Sequence, residues 1–172
     1  MHQAGNSGIL CVVSFNDPGA GNYNSIGGSF RAVRTEVGFH LSNNFNGSTI
    51  NTNRTIYHEV RNGSKVVSNL SSNSAITYGS LNCILTLSDL GNATASSRSK
   101  LYVNNNLYQN NTQTTSPSVA GATRQQTIGV TPVGSNSVLN GNMSEFVVFN
   151  QDMNSSVSAI KSNVSDYYSL NL

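Results

Sequence analysis

Short apolar runs alternate along the chain with turns rich in Gly, Asn and Ser, and many of the apolar runs keep a period of two. That rhythm predicts β-strands, because successive side chains on a strand point to opposite faces of a sheet. Strands are expected at residues 9–15, 29–34, 36–41, 55–61, 64–68, 82–88, 100–103, 106–109, 126–130 and 141–150. Many short strands separated by turn signals are the pattern of an all-β sandwich. Asn62-Gly63 stands between two of them, the strongest short signal for a hairpin. Residues 43–53 and 109–118 are polar, low in complexity, and read as loops.

One segment departs from the rhythm. Val157, Ile160, Val164 and Tyr167 recur at helical spacing, so a short C-terminal helix is expected with this stripe inward. Asn154 is its expected cap, and Asp152 suits the positive end of the helix dipole. No internal repeat or domain boundary interrupts the pattern, and residues 1–172 are expected to form one domain.

Composition sharpens this picture. Hydrophobic residues are 37% of the 172, enough for a core, whereas charged residues are only 9%, against roughly 25% in an average soluble domain. Asn, Ser, Thr and Gly fill the polar positions, so the surface is expected to respond weakly to salt and to pack readily beside identical copies. The net charge is +2 and the cations are scattered, which argues against nucleic acid as a partner, since phosphate binding needs clustered cations. No apolar run approaches the roughly 18 residues of a membrane span. Residues 1–8 lack a basic leader region, and Ile9–Val13 is followed by Ser14-Phe15-Asn16-Asp17-Pro18 rather than a cleavage site, so that run is read as a strand and not as an export signal. An extracellular-style surface without an export signal points to assembly inside a cell and release by lysis, as for a virus particle.

Two phrases carry a family resemblance. Lys100-Leu101-Tyr102-Val103-Asn104-Asn105-Asn106-Leu107-Tyr108 resembles the hairpin of laminin-G-like and pentraxin domains, with Asn104 and Asn105 at the turn. Thr127-Ile128-Gly129 resembles the strand that follows it, and Asn140-Gly141-Asn142-Met143-Ser144-Glu145-Phe146-Val147-Val148-Phe149 resembles a strand near the end of such domains. The resemblance implies a concanavalin-like jelly-roll β-sandwich. Asn105 stands where the family has Gly, and Asn tolerates a positive φ best among the other residues. The family also has a strand before the one at residue 9, where only eight residues precede; a missing neighbour would leave a sheet edge open to a partner chain.

The same resemblance places Cys11 and Cys83 on neighbouring strands, as a candidate disulfide or an adjacent pair. The alternative is two buried thiols behaving as small hydrophobic groups. A calcium-dependent lectin site would need several carboxylates, yet the loop Val130–Ser137, where pentraxins cluster theirs, has none. Asp89 with backbone carbonyls is the one weak calcium option. No cofactor or metal is expected.

Catalysis finds little material. Glycoside hydrolysis needs two positioned carboxyl groups, and Glu36, Glu59, Glu145, Asp17, Asp89, Asp152 and Asp166 show no glycosidase-type spacing. His40 and His58 alternate with apolar neighbours and read as strand residues facing water or a polar pocket; no Ser elbow accompanies them or His2. His58 and Glu59 point to opposite faces. Tyr23, Tyr57, Tyr78, Tyr102 and Tyr108 could stack on a sugar, although Tyr102 and Tyr108 could equally pair across the hairpin. Sequons at Asn46, Asn53, Asn62 and Asn69 are what chance supplies in so Asn-rich a chain.

The sequence therefore leads to a non-enzymatic virion structural protein, a capsid-decorating or tail-associated bacteriophage module at the particle surface. Its partners would be other virion proteins or identical copies. The alternative is a carbohydrate-binding adhesin for host-surface glycans, with no residue singled out for the glycan. A secreted animal module of the pentraxin or laminin-G type is a third reading.

Overall fold

The first strand, β1 (Asn6–Phe15), is apolar at consecutive positions, and both of its faces are buried. Cys11, Val13 and Phe15 point into a core shared with a second sheet, while Leu10 and Val12 join a cluster beneath the C-terminal helix. A strand covered on both sides reads as a continuous hydrophobic run, as Ile9–Val13 does.

The computed structural model describes residues 6–28, 38–45, 49–62, 64–89, 91–109, 127–130 and 138–172. Among them the further strands are β2 (Asn24–Gly28), β3 (Gly38–Asn43), β4 (Ile56–Asn62), β5 (Ser64–Leu70), β6 (Leu81–Asp89), β7 (Ser99–Val103), β8 (Asn106–Tyr108), β9 (Thr127–Ile128) and β10 (Gly141–Phe149). They form two five-stranded sheets, in the orders β10-β1-β6-β7-β8 and β5-β4-β3-β2-β9, and the described pairings are antiparallel. Helix α1 (Val157–Tyr168) follows β10. The protein is an all-β jelly-roll sandwich with one short C-terminal helix.

The layers follow from side-chain alternation. Ile26, Leu41 and Ile56 of the second sheet meet Cys11, Val13, Phe15, Ile84, Leu101 and Val103 of the first. On the other side of the first sheet, α1 sets Val157, Ile160, Val164 and Tyr168 against Leu10, Val12, Cys83, Leu85 and Leu87. The expected helical stripe thus ends on Tyr168, whereas Tyr167 is 80% exposed. Asn154 does not cap through its side chain. Asp152 Oδ1 accepts the Asn154 N–H at 2.8 Å, and Asn154 Oδ1 accepts from Lys100 Nζ at 2.7 Å.

β1 lacks no neighbour: β10 pairs along one edge and β6 along the other. The expected strand at 29–34 lies outside the described residues, as does Gly63 of the expected turn. β2 was not legible as a strand because Asn24-Ser25-Ile26-Gly27-Gly28 holds one large apolar residue. Pairing with β3 and β9 makes it a strand.

Amides stitch one end of the sandwich together. Asn24 donates to Asn43 Oδ1 at 3.1 Å and to the Asn16 carbonyl at 3.1 Å, and it accepts from the Asn140 N–H at 2.8 Å. Asn43 donates to the Thr55 carbonyl at 2.9 Å. Asn44, with φ 59°, accepts from the Arg54 N–H at 2.9 Å and donates to Tyr78 Oη at 2.7 Å. Asn24, Asn43 and Asn44 are buried, and the Asn24–Asn43 and Asn43–Thr55 bonds are buried with them, so a lost partner there leaves a costly orphan.

Gly141 opens β10 where a side chain has no room. A Cβ there would lie 2.0 Å from the Ser14 carbonyl oxygen.

Urea unfolding tests these two constraints. Asn43→Ala is expected to lose about 2–3 kcal/mol, from orphaned buried groups. Gly141→Ala is expected to lose about 3 kcal/mol or more, from forced displacement of β1. Asn53→Ala, at an exposed site, should stay within about 0.5 kcal/mol.

Candidate functional site

The outer face of the second sheet concentrates aromatic and polar groups. Alternation sends Leu41 and Ile56 inward and turns His40, Ser42, Tyr57 and Glu59 outward. The register places His40 opposite Glu59 and Ser42 opposite Tyr57. His40 Nδ1 lies 3.9 Å from Glu59 Oε1, and Tyr57 Oη donates to Glu59 Oε2 at 2.7 Å. Gly28 sits opposite His40. A Cβ there would come within 3.2 Å of the Phe39 carbonyl oxygen.

Rings gather around this pair. Tyr23 stacks on Phe45 with centroids 5.1 Å apart and planes at 26°. His40 meets Tyr23, Phe45 and Tyr57 edge-on, at 5.9, 5.5 and 6.4 Å. Phe45 is placed by its bridge to Ile50, just after the left-handed turn at Asn44. Phe45, His40, Tyr57 and Glu59 are buried, whereas Tyr23 is half-buried and forms the accessible outer ring. The Ser25 and Ser42 hydroxyls are buried on adjacent strands, without a hydrogen-bond partner among the described residues. The arrangement offers a partly accessible aromatic ring backed by buried rings and a buried polar pair, a surface suited to the apolar face of a sugar ring.

His58 belongs elsewhere. It points inward, 3.4 Å from Ser99 Oγ, which also accepts from Asn69 Nδ2 at 2.8 Å. The two strand histidines thus divide between the faces of β4 and β3, and both are buried rather than water-facing. Asn69 is buried too, which closes that sequon in the folded state. His2, Glu36 and Asn46 lie outside the described residues.

The cysteines occupy neighbouring strands but opposite faces. Cys11 aligns with Ile84 and Val12 with Cys83. Cys11 therefore enters the core between the sheets and Cys83 the cluster under α1. Both thiols are free, because a one-residue offset on paired strands reverses side-chain direction. Of the two options for the pair, the structure has neighbouring strands without a bond.

Asn104 and Asn105 form the two-residue turn between β7 and β8. The left-handed φ of 52° falls on Asn104, not on Asn105. Asn104 also extends the edge of β6, its N–H donating to the Cys83 carbonyl at 2.7 Å and its Oδ1 accepting from the Cys83 N–H at 2.9 Å. Asn105 Oδ1 accepts from Lys161 Nζ at 2.5 Å. Tyr102 stands opposite Leu107, and Tyr108 opposite Leu101, so the two tyrosines do not pair across the hairpin. Tyr108 packs against the inter-sheet core, Tyr102 against the helix side, and Tyr78 bonds Asn44.

The carboxylates are dispersed. Glu145 lies on the α1 side of the first sheet, opposite Val12, with the whole sandwich between it and Glu59. Asp89 accepts from Asn92 Nδ2 at 2.8 Å and ties its own loop. Among the described residues no three His, Cys, Asp or Glu side chains gather as a metal site. None of the described helices is long and apolar enough to cross a membrane. The loop at residues 131–137 lies outside the described residues.

No family model matches the sequence, and no curated protein matches it. Among solved structures the chain is similar to the CBM40 carbohydrate-binding module of the Ruminococcus gnavus IT-sialidase, bound to α2,3-sialyllactose. The TM-score is 0.65 and the identity 15%, over 92% of this chain and 84% of that one. The likeness shows the jelly-roll fold. The laminin-G and pentraxin resemblance rests on the motif phrases alone.

Sequence reasoning named Tyr23 and Tyr57 as stacking candidates but missed Phe45 and the His40–Glu59 pair. A positional signal existed for the pair only once the β3–β4 register was known.

Burial raises the Cys11 thiol, helped by Cys83 and Glu145, and pushes Cys83 up to about 11 against Lys161, which lowers it. In the unfolded chain a thiol ionises near its ordinary 9.0. Above that pH the unfolded state sheds protons that the folded state keeps. Stability should therefore be full below pH 9 and fall as pH climbs through 11, by about 1–3 kcal/mol in urea unfolding. At neutral pH neither thiol should react with maleimide until the chain is unfolded, when both should label without reductant.

Proposed function

We propose that the chain is a carbohydrate-binding β-sandwich module that takes a glycan on the outer face of its second sheet. The observation that carries this reading is the ring cluster there, in which partly accessible Tyr23 rests on buried Phe45. The apolar C–H face of a sugar ring would lie on Tyr23. The buried His40–Glu59 pair and Tyr57 behind the rings hold that platform in place rather than touching the sugar. His40 and Tyr57 brace Phe45 from the side, so little side-chain freedom is lost on binding.

The likeness to a carbohydrate-binding module bound to α2,3-sialyllactose supports this reading over assembly on a virion, whose support is confined to the sequence patterns set out above. The two are compatible, since an adhesin carried at a particle surface would do both. The absence of glycosidase-type carboxylate spacing favours binding without hydrolysis.

Calorimetric titration with α2,3-sialyllactose and with lactose, each with and without calcium, tests the proposal. Saturable binding of at least one is expected, and Tyr23→Ala should weaken it by about tenfold or more with the melting midpoint unchanged. No binding to either sugar, and none across a broad glycan array, would overturn it.

A further inference from the structure

A second accessible recess lies on the opposite side of the molecule, between β10 and the C-terminal half of α1. Ser144, Glu145, Asn163, Val164, Tyr167 and Tyr168 line it, around a volume of about 310 Å³. Small-ligand sites span roughly 300–1,000 Å³, so this one suits a monosaccharide rather than an extended chain.

Its chemistry is divided by element. Tyr167 is 80% exposed, although the helix could have carried any polar residue there. The Tyr168 ring meets it edge-on, with centroids 4.8 Å apart and planes at 72°, and Tyr168 packs in turn on the cluster under the helix. The exposed ring therefore stands on a fixed base. Asn163 is one helical turn before Tyr167 and shares its face. From the sheet come Ser144 and Glu145, presented where β10 slips register against Val12 and Val13. Such a bulge re-aims side chains at strand edges. The Glu145 carboxylate, after desolvation, holds the Tyr168 phenol above its ordinary value. Glu145 and the two rings line the same recess.

Among the described residues no Lys, Arg or His lines the recess. The nearest helix cation, Lys161, is turned to the other flank, over Tyr102 and onto Asn105. A carboxylated sugar would meet Glu145 without a counter-charge, whereas sugar hydroxyls can donate to it. We propose that this cleft is a second saccharide site, selective for a neutral pyranose. The ring would stack on Tyr167, with hydroxyls donating to Glu145 and bonding Asn163 and Ser144. The inference concerns a different layer from the Tyr23 face and does not depend on it.

The test is a ¹H–¹⁵N NMR titration of the full chain with glucose, galactose, mannose, N-acetylglucosamine and N-acetylneuraminic acid. At least one neutral sugar should shift the Ser144, Asn163 and Tyr167 amides saturably, and N-acetylneuraminic acid should not. Tyr167→Ala should weaken that binding by about tenfold or more with an unchanged melting midpoint, and Glu145→Gln should weaken it several-fold. Tyr23→Ala should leave these shifts intact. No shift at the cleft with any neutral sugar overturns the inference. So does a neutral-sugar affinity that Tyr167→Ala leaves unchanged. Cleft shifts abolished by Tyr23→Ala would overturn the cleft and keep the Tyr23 face; cleft shifts abolished by Tyr167→Ala alone support the cleft and leave the Tyr23 face to the calorimetric titration.

Discussion

Everything in this fold is arranged around one strand that must be dry on both sides. β1 has an apolar residue at nearly every position from Ile9 to Val13, so neither of its faces can meet water. Sheet pairing cannot satisfy that demand, because hydrogen bonds run within the plane of the sheet. The second sheet covers one face and α1 covers the other. With the helix committed to the first sheet, the second sheet is left to gather rings and polar groups on its outer side. The position of the candidate face is thus a consequence of how β1 is buried.

The chain solves buried polarity with amides. Where many proteins use an ion pair, Asn24, Asn43 and Asn44 each donate and accept at once, so one residue type closes a network across four loops. An amide needs no counter-charge and carries a smaller desolvation cost than an ion. The sparse charge of the sequence and the abundance of Asn are therefore two sides of one structural choice. The His40–Glu59 pair is the exception among the described residues, and it sits at the candidate site.

The alternation of short apolar runs with turns made most strands legible to within one or two residues, as at β4, β6, β7 and β10, and β1 to within three. It could not reveal β2, whose strand character comes from its neighbours. Which strands lie side by side was also partly legible, since Cys11 and Cys83 do occupy paired strands. Which way each side chain points was not, because a one-residue shift in register inverts it. The same limit misled the reading of Tyr102 with Tyr108. On α1, spacings ending at Tyr167 and at Tyr168 fit a helix equally well, and only packing against Leu10 and Leu87 separates them. Phe45 and His40 become neighbours through a turn and a strand pairing that no local pattern encodes.

The order of the strands has a cost in time. Asn16 and Asn140, which bond across the end of the sandwich, are 124 residues apart in sequence. β1 leaves the ribosome long before either of its partners, β6 or β10, exists to pair with it. One of its dry faces must wait for α1, which is made only after β10. Distant pairings of this kind slow folding and expose sticky surface in the interval. The strand that organises the native molecule is thus also the segment most in need of protection while the molecule is being made.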